Sequence, residues 1–283
     1  MVGPTRTGKS SLLGRAFLEG ENENVFEIGS GVHSYTAGVH ITSKPVVAMT
    51  NAGPLNVFFV DTEGFNGIGQ QTSMTYEANL FGLTFLLSSV MIFNSIFPVD
   101  AGTIRMIESH CRHALLVLQE LKDARVPYEG PPPSLLWAVQ NFNLFNLANS
   151  DMSEEELMSM LQATSTTTFG DMKQAQAIFG TNGGPNQQML NVLFKSIQLL
   201  PVRRPHQSDE VVANLNAHAT EELSEEYISD CKRVRTASYA SLDVEVIRSG
   251  PEFASRIEQW VLHGHIVLES SSGGQEAINV SAA

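Results

Sequence analysis

Cysteine, positive charge and long apolar runs are all scarce in this chain, and each shortage closes off a class of protein. Two cysteines in 283 residues, Cys111 and Cys231, cannot make a disulfide framework, so a reducing, cytoplasmic compartment is the expectation. Seventeen Lys+Arg against 30 Asp+Glu set the formal charge at -13, which leaves no basic face for nucleic acid. The glycine-rich N-terminus lacks the apolar core of a signal peptide. Only Leu80–Phe97 is long and apolar enough to suggest a membrane span, and Ser88-Ser89 divides it. Its halves read as a helix end and a buried strand, "VMIFNSIF", so no transmembrane segment is expected. One further shortage is local. A phosphate-loop pattern begins at Gly3, and only Met1 and Val2 stand where a carrying strand should precede it.

What is present alternates between helical and extended runs. "SSLLGRAFLEG" and "MTYEANLFGLTFLLSS" read as helices, as do "TIRMIESHCRHALLVLQELKDA", "DMSEEELMSML", "TEELSEEYISDCKRV" and "GPEFASRIEQWVLHGHI". "VHITSKPVVAMT" and "LNVFFVDTEG", joined by "NAGP", read as an antiparallel hairpin. "VMIFNSI", "LLWAVQNFNL" and "SIQLLPV" read as buried strands. With 42% hydrophobic and 17% charged residues, the chain suits one large domain. The expected architecture is an α/β P-loop NTPase fold: a three-layer sandwich with a mostly parallel sheet, helices on both faces and its first strand missing. The domain is expected over 1–268, with a disordered tail over 269–283.

The chemistry concentrates near the N-terminus. Gly3 to Ser10, "GPTRTGKS", satisfies G-x-x-x-x-G-K-[ST]. Glycines let the backbone wrap an anion, and the amides and following helix N-terminus supply partial positive charge. The residues expected against phosphate are Thr5, Arg6, Thr7, Gly8, Lys9, Ser10 and Ser11. Lys9 would reach the β/γ-phosphates, and the Ser10 hydroxyl would bind Mg²⁺. Asp61-Thr62-Glu63-Gly64 follows an apolar strand and matches the D-x-x-G of nucleotide switches: Asp61 reaches Mg²⁺ through water, and the Gly64 amide senses the γ-phosphate. Thr36, between the two motifs and just before a strand, is placed to be a second Mg²⁺ ligand. His110, Cys111 and His113 do not share one helix face and are read as structural.

These segments together resemble the GTPase domain of the guanylate-binding protein and atlastin group of the dynamin superfamily. "RTGKS" is similar to that group's phosphate loop, "FEIGSGVHSYTAGVHI" to its phosphate cap and switch I, and "DTEG" to its switch II. "FLLSSVMIFNSI", "LFKSIQLLPVRRP" and "GPEFASRIEQWV" resemble later parts of the domain, so the likeness spans nearly the whole chain, and the helical stalk that follows is missing. The resemblance implies GTP as substrate, GDP as product-side ligand, and hydrolysis activated by homodimerisation through the nucleotide faces. It implies Arg6 as an internal arginine finger, Ser34 as the residue positioning the attacking water, Glu63 as organiser of the water network, and Ser10 with Thr36 as Mg²⁺ holders. A full-length parent would work at the cytosolic face of internal membranes.

Two departures stand out. Gln140-Asn141 replaces the group's guanine-reading Arg-Asp. An asparagine amide offers guanine one acceptor where a carboxylate offers two with charge, so weak guanine selectivity is expected. The absent first strand leaves two explanations: a fragment or a start at the wrong methionine, or a whole but degenerate protein. The alternative function is accordingly a non-catalytic nucleotide-binding or protein-interaction fragment of the same fold.

Overall fold

The computed structural model describes residues 1–18, 26, 38–50, 53–65, 74–96, 106–107, 109–110, 112, 132–141, 194–242, 250–262, 266–269 and 277–282. At its centre are three parallel strands, β5 (Val90–Ile96), β6 (Ser134–Gln140) and β7 (Ile197–Pro201), in that spatial order. Val90 pairs with Ser134, and Leu135 with Ile197. Every residue of β6 is buried, as expected of a parallel strand covered on both faces.

An antiparallel group lies beyond β5. In it β4 (Val60–Thr62) pairs with β1 (Val39–Thr42), with His40 opposite Asp61. The long β-rich runs read from the sequence are each split. The chain bends after β1, and β2 (Val46–Thr50) and β3 (Gly53–Val57) form a separate antiparallel hairpin.

Residues 1–5 lie between the two groups. Val2 donates to the Ile92 carbonyl at 2.9 Å and accepts from the Asn94 amide at 2.8 Å. On the other side, the Thr5 amide donates to Phe65 O at 2.8 Å and Phe65 N to Gly3 O at 3.1 Å. These are isolated parallel bridges, Val2 to Phe93 and Pro4 to Phe65, not a strand. These four hydrogen bonds, with a fifth from the Met1 amino group to the Val60 carbonyl, nonetheless join the two groups. The expected gap is therefore bridged, because buried backbone groups on both neighbours need partners.

Ile266–Glu269 forms β8 and Ala277–Ala282 forms β9. β9 pairs antiparallel with the free edge of β1, Val39 opposite Val280, and with β8. The alternation in "AINVSA" permits a strand, and an unpaired edge offers a row of donors and acceptors for it.

Helices cover the sheet. α1 (Lys9–Phe17) and α4 (Glu225–Ala240) bury Leu12, Leu13, Phe17, Tyr227, Cys231 and Val234 against Ile92, Leu136 and Leu200. Strand residues of opposite parity, among them Phe93 and Trp137, turn to the other face and meet edge-on at 5.5 Å. α2 (Met74–Leu87) ends just before β5, so Leu80–Ile96 of the apolar run is a helix end plus a strand. No helix among the described residues is long and apolar enough to cross a membrane. The short α3 (Asp209–Ala213) and α5 (Gly250–Leu262) lie later in the chain, and Phe253 of α5 stacks on Phe58. The expected helix over "DMSEEELMSML" lies outside the described residues. Of "TIRMIESHCRHALLVLQELKDA", residues 106–107, 109–110 and 112 are described, and all five are helical.

Candidate nucleotide site

The loop over Gly3–Gly8 turns sharply because its backbone takes conformations that most residues avoid. Gly8, at φ 73, caps α1, and Arg6 stands exposed at φ 64. At Gly3, φ is 144, and a Cβ would lie 2.0 Å from the Asn94 carbonyl oxygen. Gly64 of the D-x-x-G stretch is needed for closeness instead: a Cβ there would lie 2.3 Å from the Thr5 Cα. The two motifs, about sixty residues apart in sequence, therefore touch backbone to backbone.

The loop is braced from within and from behind. Thr7 Oγ1 donates to Pro4 O at 2.9 Å. Asn94, fully buried in β5, donates to Thr7 O at 2.8 Å and to Thr7 Oγ1 at 3.0 Å. Gln140, at the end of β6, donates to Asn94 Oδ1 at 3.0 Å and to Gly8 O at 3.3 Å. A chain of amides thus runs from the end of β6 to the loop. The Gln140 side chain is committed to the loop, and Asn141, expected from sequence to read the base with it, has φ 54.

The charged residues gather at the same end of the sheet. Lys9 is buried and donates to Pro4 O at 3.0 Å. Burial lowers its pKa below the ordinary 10.5, against the opposing pull of Asp61 and Glu63. Ser10 Oγ donates to Asp61 Oδ2 at 2.5 Å. Asp61 Oδ1 is buried and has no hydrogen-bond partner among the described residues. A hydroxyl beside a buried, half-satisfied carboxylate is the hard-oxygen donor set that Mg²⁺ takes, so these residues fit that ion. Glu63 Oε2 accepts from the Gly38 amide at 3.1 Å and from the Tyr76 hydroxyl at 2.7 Å, and Oε1 is buried without a partner among the described residues.

The structure therefore brings together Thr5, Thr7, Gly8, Lys9, Ser10, Asp61, Glu63, Gly64 and Gln140, with Arg6 on the exposed tip of the loop. Ser34 and Thr36 lie outside the described residues. Ser11 is buried on α1. His110 packs its ring on Phe65 at 4.6 Å, while Cys111 and His113 lie outside the described residues. No cluster of metal-binding His, Cys, Asp or Glu occurs among those described. Asn94 and Tyr76 were not picked out as site residues from sequence. Asn94 carries a signal, a lone amide in an apolar strand, which must find buried partners. Tyr76 carries none.

Fold and site together define a P-loop domain of the GTPase type. A family model, Guanylate-binding protein, N-terminal domain, matches residues 1–242. Human Guanylate-binding protein 5 is 30% identical over 155 residues, 51% of this chain and 24% of that protein. Mouse (Mus musculus) Guanylate-binding protein 5 is 29% identical over 171 residues, 57% of this chain and 28% of that protein. Mouse Guanylate-binding protein 2 is 25% identical over 280 residues, 92% of this chain and 44% of that protein. The chain belongs to the guanylate-binding protein family and matches less than half the length of these curated relatives.

Proposed function

We propose that this chain binds GTP with Mg²⁺ and hydrolyses its γ-phosphate, and that pairing of two chains through their nucleotide faces raises the rate. The carrying observation is the convergence of Lys9, Ser10, Asp61 and Glu63 at one buried end of the sheet, with Asp61 Oδ1 and Glu63 Oε1 left bare. A nucleotide tail explains why a lysine would be buried there at a cost to its own charge. Phosphate oxygens restore to its ammonium the solvation that burial removed.

Loop amides and Lys9 would hold the β- and γ-phosphates, and the Ser10 hydroxyl and Asp61 would hold the metal, joined by Thr36. The ion supplies charge neutralisation on the phosphate oxygens. Arg6, exposed on its loop, is where a dimer contact would fold it onto the transferring group, in the manner of an arginine finger. Ser34 and Glu63 would orient the attacking water. Little covalent work falls to the protein, and positioning supplies most of the rate. An atlastin-like coupling of hydrolysis to association is the finer form of this reading.

The competing reading is a non-catalytic member that binds nucleotide weakly. It draws on Gln140, committed to Gly8 and Asn94, and on Asn141 standing in for a carboxylate. Phosphate release from GTP and from ATP, followed over a range of protein concentrations, decides between them. Turnover per molecule that climbs with concentration supports hydrolysis by a dimer. No release at any concentration supports the non-catalytic reading.

A further inference from the structure

We propose that Tyr76 is a positioning residue for hydrolysis: its hydroxyl, with the Gly38 amide, grips one oxygen of Glu63 so that the other is held for the attacking water. The inference rests on the hydrolase reading above and deepens it with a residue outside both nucleotide motifs.

Tyr76 stands in the first turn of α2, and its hydroxyl reaches Glu63 Oε2 at 2.7 Å. The Gly38 amide reaches the same oxygen at 3.1 Å, and the Gly38 carbonyl accepts from the Glu63 amide at 2.7 Å. Side chain and backbone of Glu63 are thus both tied to Gly38, which immediately precedes β1 and lies within the stretch that resembles switch I. With Oε2 gripped from two sides, the carboxylate cannot turn to satisfy Oε1 elsewhere. Oε1 is buried and has no partner among the described residues. An interior carboxylate oxygen with no donor is unfavourable unless something absent from the protein itself supplies one. Gly64, the next residue, lies against Thr5 of the phosphate loop, so Glu63 stands beside that loop. Water held there meets the geometry that positioning catalysis needs.

The phenol is suited to the part. Burial and the hydrogen bond to Glu63 raise its pKa above the ordinary 10.0, so it remains a donor throughout the neutral range. The plainer role for such a contact is to staple α2 to the sheet. Loss of a staple lowers stability and leaves turnover per folded molecule alone.

The test compares the full chain with Tyr76→Phe, Glu63→Gln and the double variant. Tyr76→Phe keeps the ring and removes only the donor. The expected result is a kcat for GTP lowered about tenfold or more, with KM and affinity for GDP changed less than about twofold. Affinity for GDP with aluminium fluoride, which mimics the transferring phosphoryl group, should fall by a similar factor in calorimetry. The double variant should be no slower than Glu63→Gln alone, because both changes disable one unit. Unchanged kcat and fluoride-complex affinity in Tyr76→Phe, with only the melting temperature lowered, overturns the inference. Additive losses in the double variant overturn it as well. A wild-type chain that takes up no nucleotide removes the hydrolase reading and this inference together. A wild-type chain that turns over GTP no faster than Tyr76→Phe removes the inference alone.

Discussion

The phosphate end and the base end of the site are built on different principles. At the proposed phosphate end the contacts would be mostly backbone, from amides of the loop, glycines that permit close approach and the start of α1, with the Lys9 ammonium as the one side-chain charge. Behind them the Asn94 and Gln140 amides hold the loop in shape. At the proposed base end, recognition would fall to Asn141, which takes the place of the carboxylate that would match guanine. Backbone recognition survives many side-chain changes because every residue carries the same amide. Recognition by one or two side chains changes with a single substitution. The phosphate end should therefore be robust and unselective, and the base end should set which nucleotide binds.

The largest effect expected in breaking this contrast is at Lys9. Lys9→Ala should lower affinity for GTP and ATP alike by about a hundredfold, or about 3 kcal/mol, through loss of charge-assisted contacts. Because that lysine is buried and its charged form disfavoured, the free protein should unfold at the same temperature or higher. Calorimetry and thermal melts read the two halves of this prediction, and selective loss of GTP alone would count against it.

Next comes the brace behind the loop. Asn94→Ala leaves Thr7 O without its side-chain donor and Gln140 with only Gly8 O as acceptor, so stability should fall by about 1–3 kcal/mol. Denaturant unfolding measures that loss, and both nucleotides should weaken together. A stability equal to that of the wild type would show that the amide chain does not hold the loop.

At the base end the expected change is smaller and of opposite sign. Asn141→Asp should raise the preference for GTP over ATP about tenfold, or about 1.4 kcal/mol, by restoring a charged acceptor for guanine. Competition binding checks it. A wild-type chain already preferring GTP a hundredfold would refute the weak-selectivity expectation outright.

A control away from both ends is Cys231, beneath α1. Burial is the main reason its thiol is pushed up from 9.0 to about 12. A raised acid pKa means the folded state keeps its proton after the unfolded chain has lost it. Stability from this source is full below pH 9 and is lost as pH climbs from 9 toward 12. Cys231→Ala should show a shallower alkaline loss in melts across that range, with nucleotide selectivity untouched. An identical alkaline slope in the variant would remove the thiol from the account.

Much of this was legible in the residues alone. β5, β6 and β7 announce themselves as short apolar runs, and α2 as a longer one, because burial on both faces needs continuous hydrophobicity. The phosphate loop and "DTEG" read clearly because close approach to an anion admits few residue types. Less legible were contacts made across distance. β9 pairs with β1 from more than two hundred residues away, and nothing in "AINVSA" names its partner. The placement of residues 1–5 between β4 and β5 depended on unpaired edges on both sides, which no local pattern records. Gln140 looked like half of a base-reading pair, and only its position at the end of β6 shows it turned toward Gly8.

By itself, then, the order of residues determined the pieces: which runs are strands or helices, where glycine is obligatory, and that a lysine and a hydroxyl follow the loop. These are consequences of local sterics and of hydrophobic periodicity, which act over a few residues. The tertiary structure alone decided what the pieces do to one another. It set Ser10 against Asp61, Gly64 against Thr5, Asn94 behind Thr7 and Tyr76 upon Glu63. Hydrogen bonds between distant residues form only once the sheet has brought its strand ends together, and partner choice there is a matter of ångströms that composition and spacing do not encode.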